Sequence, residues 1–169
     1  MTEIKYYQQD TDLWHQLIDR EKAYLEIRQN FLNSCQSKVE LIRLALQNPT
    51  ERGTALEILN YLTLEERQSL FDELIKLASV GHSDIELVRS AILAFDKIWL
   101  LDNIENHAES LLKNGTDEEY RRLLELYIQI DDELTQRLVM KALQQNDSEI
   151  QEAGGDFEII LKTKRENLM

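Results

Sequence analysis

Residues 83–99 read Ser-Asp-Ile-Glu-Leu-Val-Arg-Ser-Ala-Ile-Leu-Ala-Phe-Asp-Lys-Ile-Trp, and this stretch decides the fold. Its large apolar residues recur at steps of three and four, at Ile85, Val88, Ile92, Phe95 and Trp99. This spacing places them on one face of an α-helix. Four smaller or flanking residues widen that face: Leu87, Ala91, Ala94 and Ile98. Because the apolar face is so wide, the pattern predicts one mostly buried helix over residues 83–99.

The composition of the whole chain also favours helices. Its 169 residues include only five Gly and one Pro, which argues against a turn-rich β fold. Leu, Ile, Glu, Gln and Arg dominate the long segments, and these are good to fair helix formers. The apolar runs and their breaks predict about nine helices joined by short turns. We therefore expect an all-α protein.

Capping residues mark where these helices begin. Three pairs have the spacing of a capping box, in which a hydroxyl and a carboxylate satisfy helix-end amides: Thr63 with Glu66, Ser83 with Glu86, and Thr116 with Glu119. Other starts are expected at single capping residues: Asp10, Thr11 or Asp12, then Thr50, Asp102, Asp131, and Asn146 or Asp147. The first ten residues are polar and expected to fray, and residues 64–78 are expected to form one helix.

Four segments align without gaps and indicate an internal repeat. The aligned sets are Val88, Ala91, Ile92, Phe95 and Ile98; Tyr120, Leu123, Leu124, Tyr127 and Ile130; Ile150, Ala153, Gly154, Phe157 and Ile160; and, less well, Ala55, Leu56, Leu59 and Leu62. Equivalent positions in neighbouring segments lie 36, 32 and 30 residues apart. Helix pairs repeated at about this period are typical of a stacked α-solenoid. An up-down helical bundle is the alternative.

The segment Asp84-Ile-Glu-Leu-Val-Arg-Ser-Ala-Ile-Leu-Ala94 resembles the second helix of a HEAT-type repeat. That family has an acid in the turn, then a Val-Arg pair, small residues and an apolar stripe. The resemblance covers about residues 50–161; Arg121 keeps the arginine in the next segment, and Gln151 replaces it in the last. HEAT-like arrays usually act as interaction surfaces, and the resemblance implies the same role here.

The predicted fold is a short right-handed α-solenoid of HEAT-like helix pairs in one structural domain. Residues 1–47 are expected to form N-terminal capping helices, residues 48–161 the repeats, and residues 162–169 a flexible basic tail. No apolar run approaches the length of a membrane span, and the N-terminus has no apolar signal core. The single cysteine, Cys35, fits a reducing compartment, so a cytoplasmic location is expected.

The charge is strongly negative and unevenly distributed. The net charge is −13, and residues 102–160 hold 15 acids against 5 bases. Such a surface repels nucleic acid and anionic membranes, so neither is an expected partner. Nine carboxylates fall near predicted helix starts: Asp117, Glu118, Glu119, Asp131, Asp132, Glu133, Asp147, Glu149 and Glu152. Capping and dipole compensation explain most of them, but stacked acidic turns on one edge would also orient a basic partner.

The sequence contains no catalytic constellation, and no cofactor or metal is expected. His15, His82 and His107 form no i, i+4 pair, and no Gly-rich phosphate loop or nucleophile elbow is present. Gly154-Gly155 lies inside a helical pattern, where a close helix crossing or a kink is the expected reason.

Three hypotheses for function follow. The first is a non-enzymatic protein–protein interaction module that docks a basic partner through the acidic edge. The alternative is an enzyme accessory or cofactor- or chromophore-handling protein with a concave pocket near Trp99, Tyr120 and Tyr127, although packing also explains these aromatic residues. The third is a homodimer through an end helix, where Trp14 with Tyr6 and Tyr7 could bind a second copy.

Overall fold

A computed structural model describes residues 2–167 of the chain, with side chains from residue 8 onward. These residues form α-helices and no strand. The helices are α1 (Thr2–Ser34), α2 (Lys38–Gln47), α3 (Arg52–Ile58), α4 (Leu64–Gln68), α5 (Phe71–Ala78), α6 (Ile85–Leu93), α7 (Lys97–Lys113), α8 (Asp117–Ile130), α9 (Asp132–Leu143) and α10 (Ser148–Glu166), with a 3-10 turn at Leu59–Tyr61. The all-α expectation is confirmed. Within this part of the chain, no helix combines the length and the apolar content needed to cross a bilayer.

The chain divides into two compact units, Met1–Ile42 and Arg43–Met169. The first holds α1 and the beginning of α2, and the second holds everything from the middle of α2 onward. The division therefore falls inside α2, before the boundary expected between residues 47 and 48. At the other end of the chain, α10 extends to Glu166, into the segment expected to form a tail.

Helix α1 begins earlier than the sequence pattern predicted. It is continuous from Thr2 to Ser34, so no helix starts at Asp10, Thr11 or Asp12. The polar residues before Asp10 are fair helix formers, and neither Gly nor Pro interrupts them. The side chains of Tyr6 and Tyr7 lie outside the described residues.

The stretch 83–99 forms parts of two helices rather than one. Helix α6 ends at Leu93, and α7 begins at Lys97, because the Asp96 carboxylate accepts hydrogen bonds from the backbone N–H groups of Ile98 and Trp99 at 3.0 Å. The expected start at Asp102 is therefore wrong. Ile98, predicted to be buried, is 71% exposed, since it belongs to the first turn of a new helix.

Two of the three predicted capping boxes are confirmed, at Thr63 and at Thr116. The third is absent, because α6 starts after Asp84 and no side chain caps it. The helix expected over residues 64–78 is interrupted between α4 and α5, where the Arg43 guanidinium donates to the Ser69 carbonyl at 2.8 Å.

The single capping residues have mixed outcomes. Asp131 and Asp147 cap α9 and α10 as predicted. Thr50 does not cap α3, because that helix begins after Glu51, and no side chain caps its first turn.

The core of the second unit includes many of the aligned positions of the repeat. Three of the five aligned positions, the first, the third and the fourth, are buried in all three of the well-matched segments. These residues are Val88, Ile92, Phe95, Tyr120, Leu124, Tyr127, Ile150, Gly154 and Phe157. Helix α5 packs against α6 and α7, and α8, α9 and α10 pack against one another. At the fifth position Ile130 is buried, whereas Ile98 and Ile160 are exposed, so the repeat alignment identified most of the buried face but not all of it.

Candidate partner-binding edge

The acidic turns lie at two opposite ends of helices α8, α9 and α10. One recess is bordered by three parts of the chain: the end of α8 (Ile128 to Ile130), the start of α9 (Asp131 to Glu133) and Lys164 near the end of α10. The Lys164 ammonium pairs there with the Asp132 carboxylate. Helices α8 and α10 therefore run in the same direction, and α9 runs in the opposite one.

This arrangement separates the nine predicted carboxylates. Helix α8 has 14 residues, so its two ends lie about 21 Å apart. Six of the carboxylates are near the starts of α8 and α10, and we call these the acidic edge: Asp117, Glu118, Glu119, Asp147, Glu149 and Glu152. The other three, Asp131 to Glu133, are at the opposite end. The nine acids therefore form two separate groups rather than one strip.

Nearby cations largely balance the charge at the opposite end. The Asp131 carboxylate accepts from the backbone N–H groups of Glu133 and Leu134, and the Lys97 ammonium lies 3.3 Å away. The hydrogen bond from Leu134 is the largest influence, and with the others it outweighs partial burial and lowers the pKa of Asp131. Asp132 is paired with Lys164, so Glu133 is the acid of this group that forms no ion pair with a described residue.

Three acids of the acidic edge have structural roles. The Glu119 carboxylate accepts from the backbone N–H and the hydroxyl of Thr116, both at 2.7 Å. Burial raises the pKa of Glu119, but these hydrogen bonds together outweigh it, and the pKa lies below its ordinary value. Asp147 caps α10, and Glu118 accepts from the Gly81 backbone N–H at 2.9 Å.

The remaining acids of this edge are Asp117, Glu149 and Glu152. Asp117 is half-buried, whereas Glu149 and Glu152 are exposed, and none of the three forms an ion pair with a described residue. The nearby arginine Arg121 is engaged by Asp156 at 2.9 Å. The acidic edge therefore keeps negative charge that the described residues do not neutralise.

Ion pairs connect each second helix of the repeat to the next second helix along the chain, which are α3, α6, α8 and α10 in order. They are Arg52 with Asp84, Arg89 with Glu125, and Arg121 with Asp156, at separations of 32, 36 and 35 residues. Sequence reasoning missed these pairs. The signal was present, because Arg89 and Arg121 occupy equivalent positions 32 residues apart.

Arg89 is the most constrained of these arginines. It is buried and pairs with Glu125 and, at 2.6 Å, with Glu86. Arg122 also pairs with Glu125 at 3.0 Å. Burial raises the pKa of Glu125, but the hydrogen bonds and charges of Arg89 and Arg122 outweigh it, and the pKa is lowered.

The structure places two of the three predicted aromatic residues in the core, and the third, Trp99, is half-buried. Tyr120 and Tyr127 are fully buried, and Trp99 stacks on Phe95 with ring centroids 5.0 Å apart. Burial raises the pKa of Tyr127, and Glu105 adds to the rise. The cavity beside Tyr127 measures only about 40 Å³, which suits a water molecule rather than a cofactor.

A larger groove of about 340 Å³ lies between α3 and α6. Small and apolar side chains line most of it, and Glu57 and Asn60 add polar groups. Among the histidines, His107 pairs with Asp72, and the Nε2 atom of His82 lies 3.1 Å from the Leu77 carbonyl oxygen. In the described part of the chain, no three His, Cys, Asp or Glu side chains are grouped to hold a metal ion.

Comparison of the chain with protein-family models, with curated proteins and with solved structures finds no match. The contacts described above are therefore the basis for the function proposed below.

Proposed function

We propose that the second unit is a short right-handed α-solenoid of HEAT-like helix pairs rather than an up-down bundle. Extensive packing joins helices that are near in sequence, such as α5 with α7 and α8 with α10. The ion pairs between second helices repeat at 32 to 36 residues. Regular contacts between one repeat and the next are the defining property of a solenoid.

Native-state hydrogen exchange tests this architecture. In a solenoid the stability is nearly a sum over repeats and their interfaces, so an end pair opens without the rest. Amides of α9 and α10 should then exchange at a lower opening free energy than those of α5 to α8. A single opening free energy shared by all buried amides of the second unit would favour the bundle.

We further propose that the protein is a non-enzymatic interaction module that docks a basic protein through the acidic edge. The observation that supports this most strongly is the unneutralised charge of Asp117, Glu149 and Glu152 at the starts of two parallel, adjacent helices. Such a charged surface steers a basic partner and fixes its orientation. A cytoplasmic location belongs to this proposal, because Cys35 is a free thiol.

Helix stabilisation alone explains only part of this surface. Carboxylates in the first turn of a helix interact favourably with its dipole. The first turns of α8 and α10 hold four such acids: Asp117, Glu118, Glu119 and Glu149. The effect fades after the first turn, so it does not account for Glu152 in the second turn of α10. Glu152 is exposed and forms no ion pair with a described residue, so its charge is available to a partner.

A titration with a fluorescent lysine-rich peptide tests the location of the binding surface. The edge variant carries Asp117→Lys, Glu149→Lys and Glu152→Lys. The control variant carries three reversals on α7, α9 and α10, away from the acidic edge: Asp102→Lys, Glu133→Lys and Glu166→Lys. Each variant exchanges one aspartate and two glutamates, so the two have the same net charge.

The control acids are well suited to this comparison. All three are exposed and form no ion pair with a described residue. Asp102 lies in the second turn of α7, Glu133 in the first turn of α9, and Glu166 is the last residue of α10. Their reversal therefore changes the overall charge without touching the acidic edge.

We expect the edge variant to bind the peptide at least about tenfold more weakly than the control variant, since nearby charges act more strongly than distant, screened ones. Equal weakening would mean that only net charge matters and would refute the edge. The alternative cofactor pocket has less support, because Tyr120 and Tyr127, which would help to form it, are core residues.

A further inference from the structure

Helix α1 carries a long apolar stripe that is largely exposed. At 100° per residue, its large apolar side chains from Leu13 onward fall on one half of the helix surface. Five of them are 41–68% exposed: Leu13, Trp14, Leu17, Leu25 and Ile27. A helix of 33 residues gains most of its stability by packing such a face against something. An uncovered stripe of this length marks an interaction surface.

Two opposite charges lie within this stripe. Glu21 and Arg28 are seven residues apart, so they lie on the same side of α1 as Leu17 and Leu25. The Arg28 guanidinium lies over the Tyr24 ring, 5.5 Å from its centroid, which places it along the stripe. A polar or charged residue inside an apolar seam specifies the register of helix pairing, at some cost in stability.

We propose that the stripe binds α1 of a second copy of this chain in antiparallel orientation, centred between Tyr24 and Leu25. In a parallel, in-register pair, each of the two charges would face the same residue of the second copy, which is repulsive. In the antiparallel pair, Glu21 of each copy faces Arg28 of the other.

The same register also matches the apolar residues. About the centre between residues 24 and 25, Leu17 faces Leu32 of the second copy, and Ile18 faces Phe31. Trp14 faces Cys35, just beyond the end of α1. The seam from residue 14 to residue 35 is about 33 Å long, or roughly three heptads of paired helix. One register therefore satisfies both the charges and the apolar side chains along the centre of the stripe. At its border, Leu13 and Ile27 face Gln36 and Lys22 of the second copy.

This self-association is distinct from the docking of a basic partner. The stripe belongs to the first unit, whereas the acidic edge belongs to the second. A dimer would present two acidic edges to a partner, which raises avidity without any new contact. Either proposal can fail while the other stands.

Sedimentation of the full-length chain, from micromolar concentration upward, tests the proposal. The wild type should show about twice the mass of one chain, which is 19.9 kDa. Glu21→Arg and Arg28→Glu should each weaken the dimer at least about tenfold, because each places like charges opposite one another. An equimolar mixture of the two variants should recover the dimer, since every charge of the mixed seam then faces an opposite charge.

Ile98→Glu serves as the control, because Ile98 is also an exposed apolar residue but lies on α7. It should leave the mass unchanged. Circular dichroism of each variant checks that helicity is kept. A single-chain mass for the wild type at every concentration would overturn the proposal, and a different protein would then be the next occupant to test. A dimer that survives both single reversals, or variants that stay monomeric when mixed, would also overturn it.

Discussion

Gly154 and Gly155 are adjacent residues in α10 with opposite surroundings. A Cβ atom at Gly154 would lie 3.0 Å from the Cβ of Ala142 and 3.3 Å from the backbone N of Leu143, both on α9. A Cβ atom at Gly155 would meet nothing within 4 Å. Gly154→Ala and Gly155→Ala therefore make the same chemical change in the same helix, once against a neighbouring helix and once in open space.

The expected free-energy changes follow from these distances. Alanine is better than glycine by about 1 kcal/mol inside a helix, so Gly155→Ala should stabilise the fold by up to that amount. Gly154→Ala has the same gain, but α9 must move because apolar carbon atoms prefer about 3.5–4.0 Å. Such overpacking costs about 1–3 kcal/mol. Because the helix-propensity gain cancels, the difference between the two variants measures the overpacking alone.

Urea and thermal denaturation followed by circular dichroism provide the assay. A difference of about 1–3 kcal/mol corresponds to roughly 2–12 °C in Tm for a chain of this size. Gly155→Ala should melt above the wild type, and Gly154→Ala should melt below Gly155→Ala by this margin. Equal melting temperatures for the two variants would refute the close contact between α9 and α10.

Three other changes test individual contacts. Tyr127→Phe should leave the unfolding free energy unchanged or slightly higher, since the buried hydroxyl has no hydrogen-bond partner among the described residues. Chemical denaturation measures this, and a loss above about 1 kcal/mol would indicate a partner such as a bound water. Arg89→Met should destabilise the fold by about 1–3 kcal/mol, because Glu125 loses one of its two arginines. Glu125→Gln keeps a side-chain oxygen that can accept from Arg89, so the same measurement should give a smaller loss of unfolding free energy. A larger loss than for Arg89→Met would contradict this account of the pair. Asp131→Asn keeps a capping oxygen but removes a carboxylate whose pKa is lowered in the folded state, so the wild type should be more stable than the variant at neutral pH. That advantage should shrink as the pH falls through the folded pKa of Asp131, and denaturation curves with an equal advantage in acid would contradict it.

Local sequence patterns predicted the helical class and the buried face, but not every helix boundary. The apolar spacing from Ile85 to Trp99 continues through Asp96 without a break, so periodicity alone favours one helix. The structure ends α6 three residues before Asp96, whose carboxylate caps α7. An aspartate can lie on the polar face of a helix or begin a new one, and tertiary packing decides between these outcomes.

The acidic residues were located correctly along the chain but not in space. Asp117 and Asp131 are both near helix starts, as the capping patterns predicted. One helix separates the two turns, so they must lie at opposite ends of α8. Counting the helices between turns would have shown this from the sequence. The pairing of Asp132 with Lys164 brings together residues 32 apart and depends on how the repeats pack.

Capture of proteins from a native lysate on immobilised protein tests the central claim most directly. Three baits are compared at low and at moderately high salt: the wild type, the edge variant and the charge-matched control variant. The account predicts that the wild type and the control retain the same basic protein at low salt and release it at high salt, and that the edge variant does not retain it. Retention of that protein by the edge variant as well, or no retained basic protein on any bait, would contradict it.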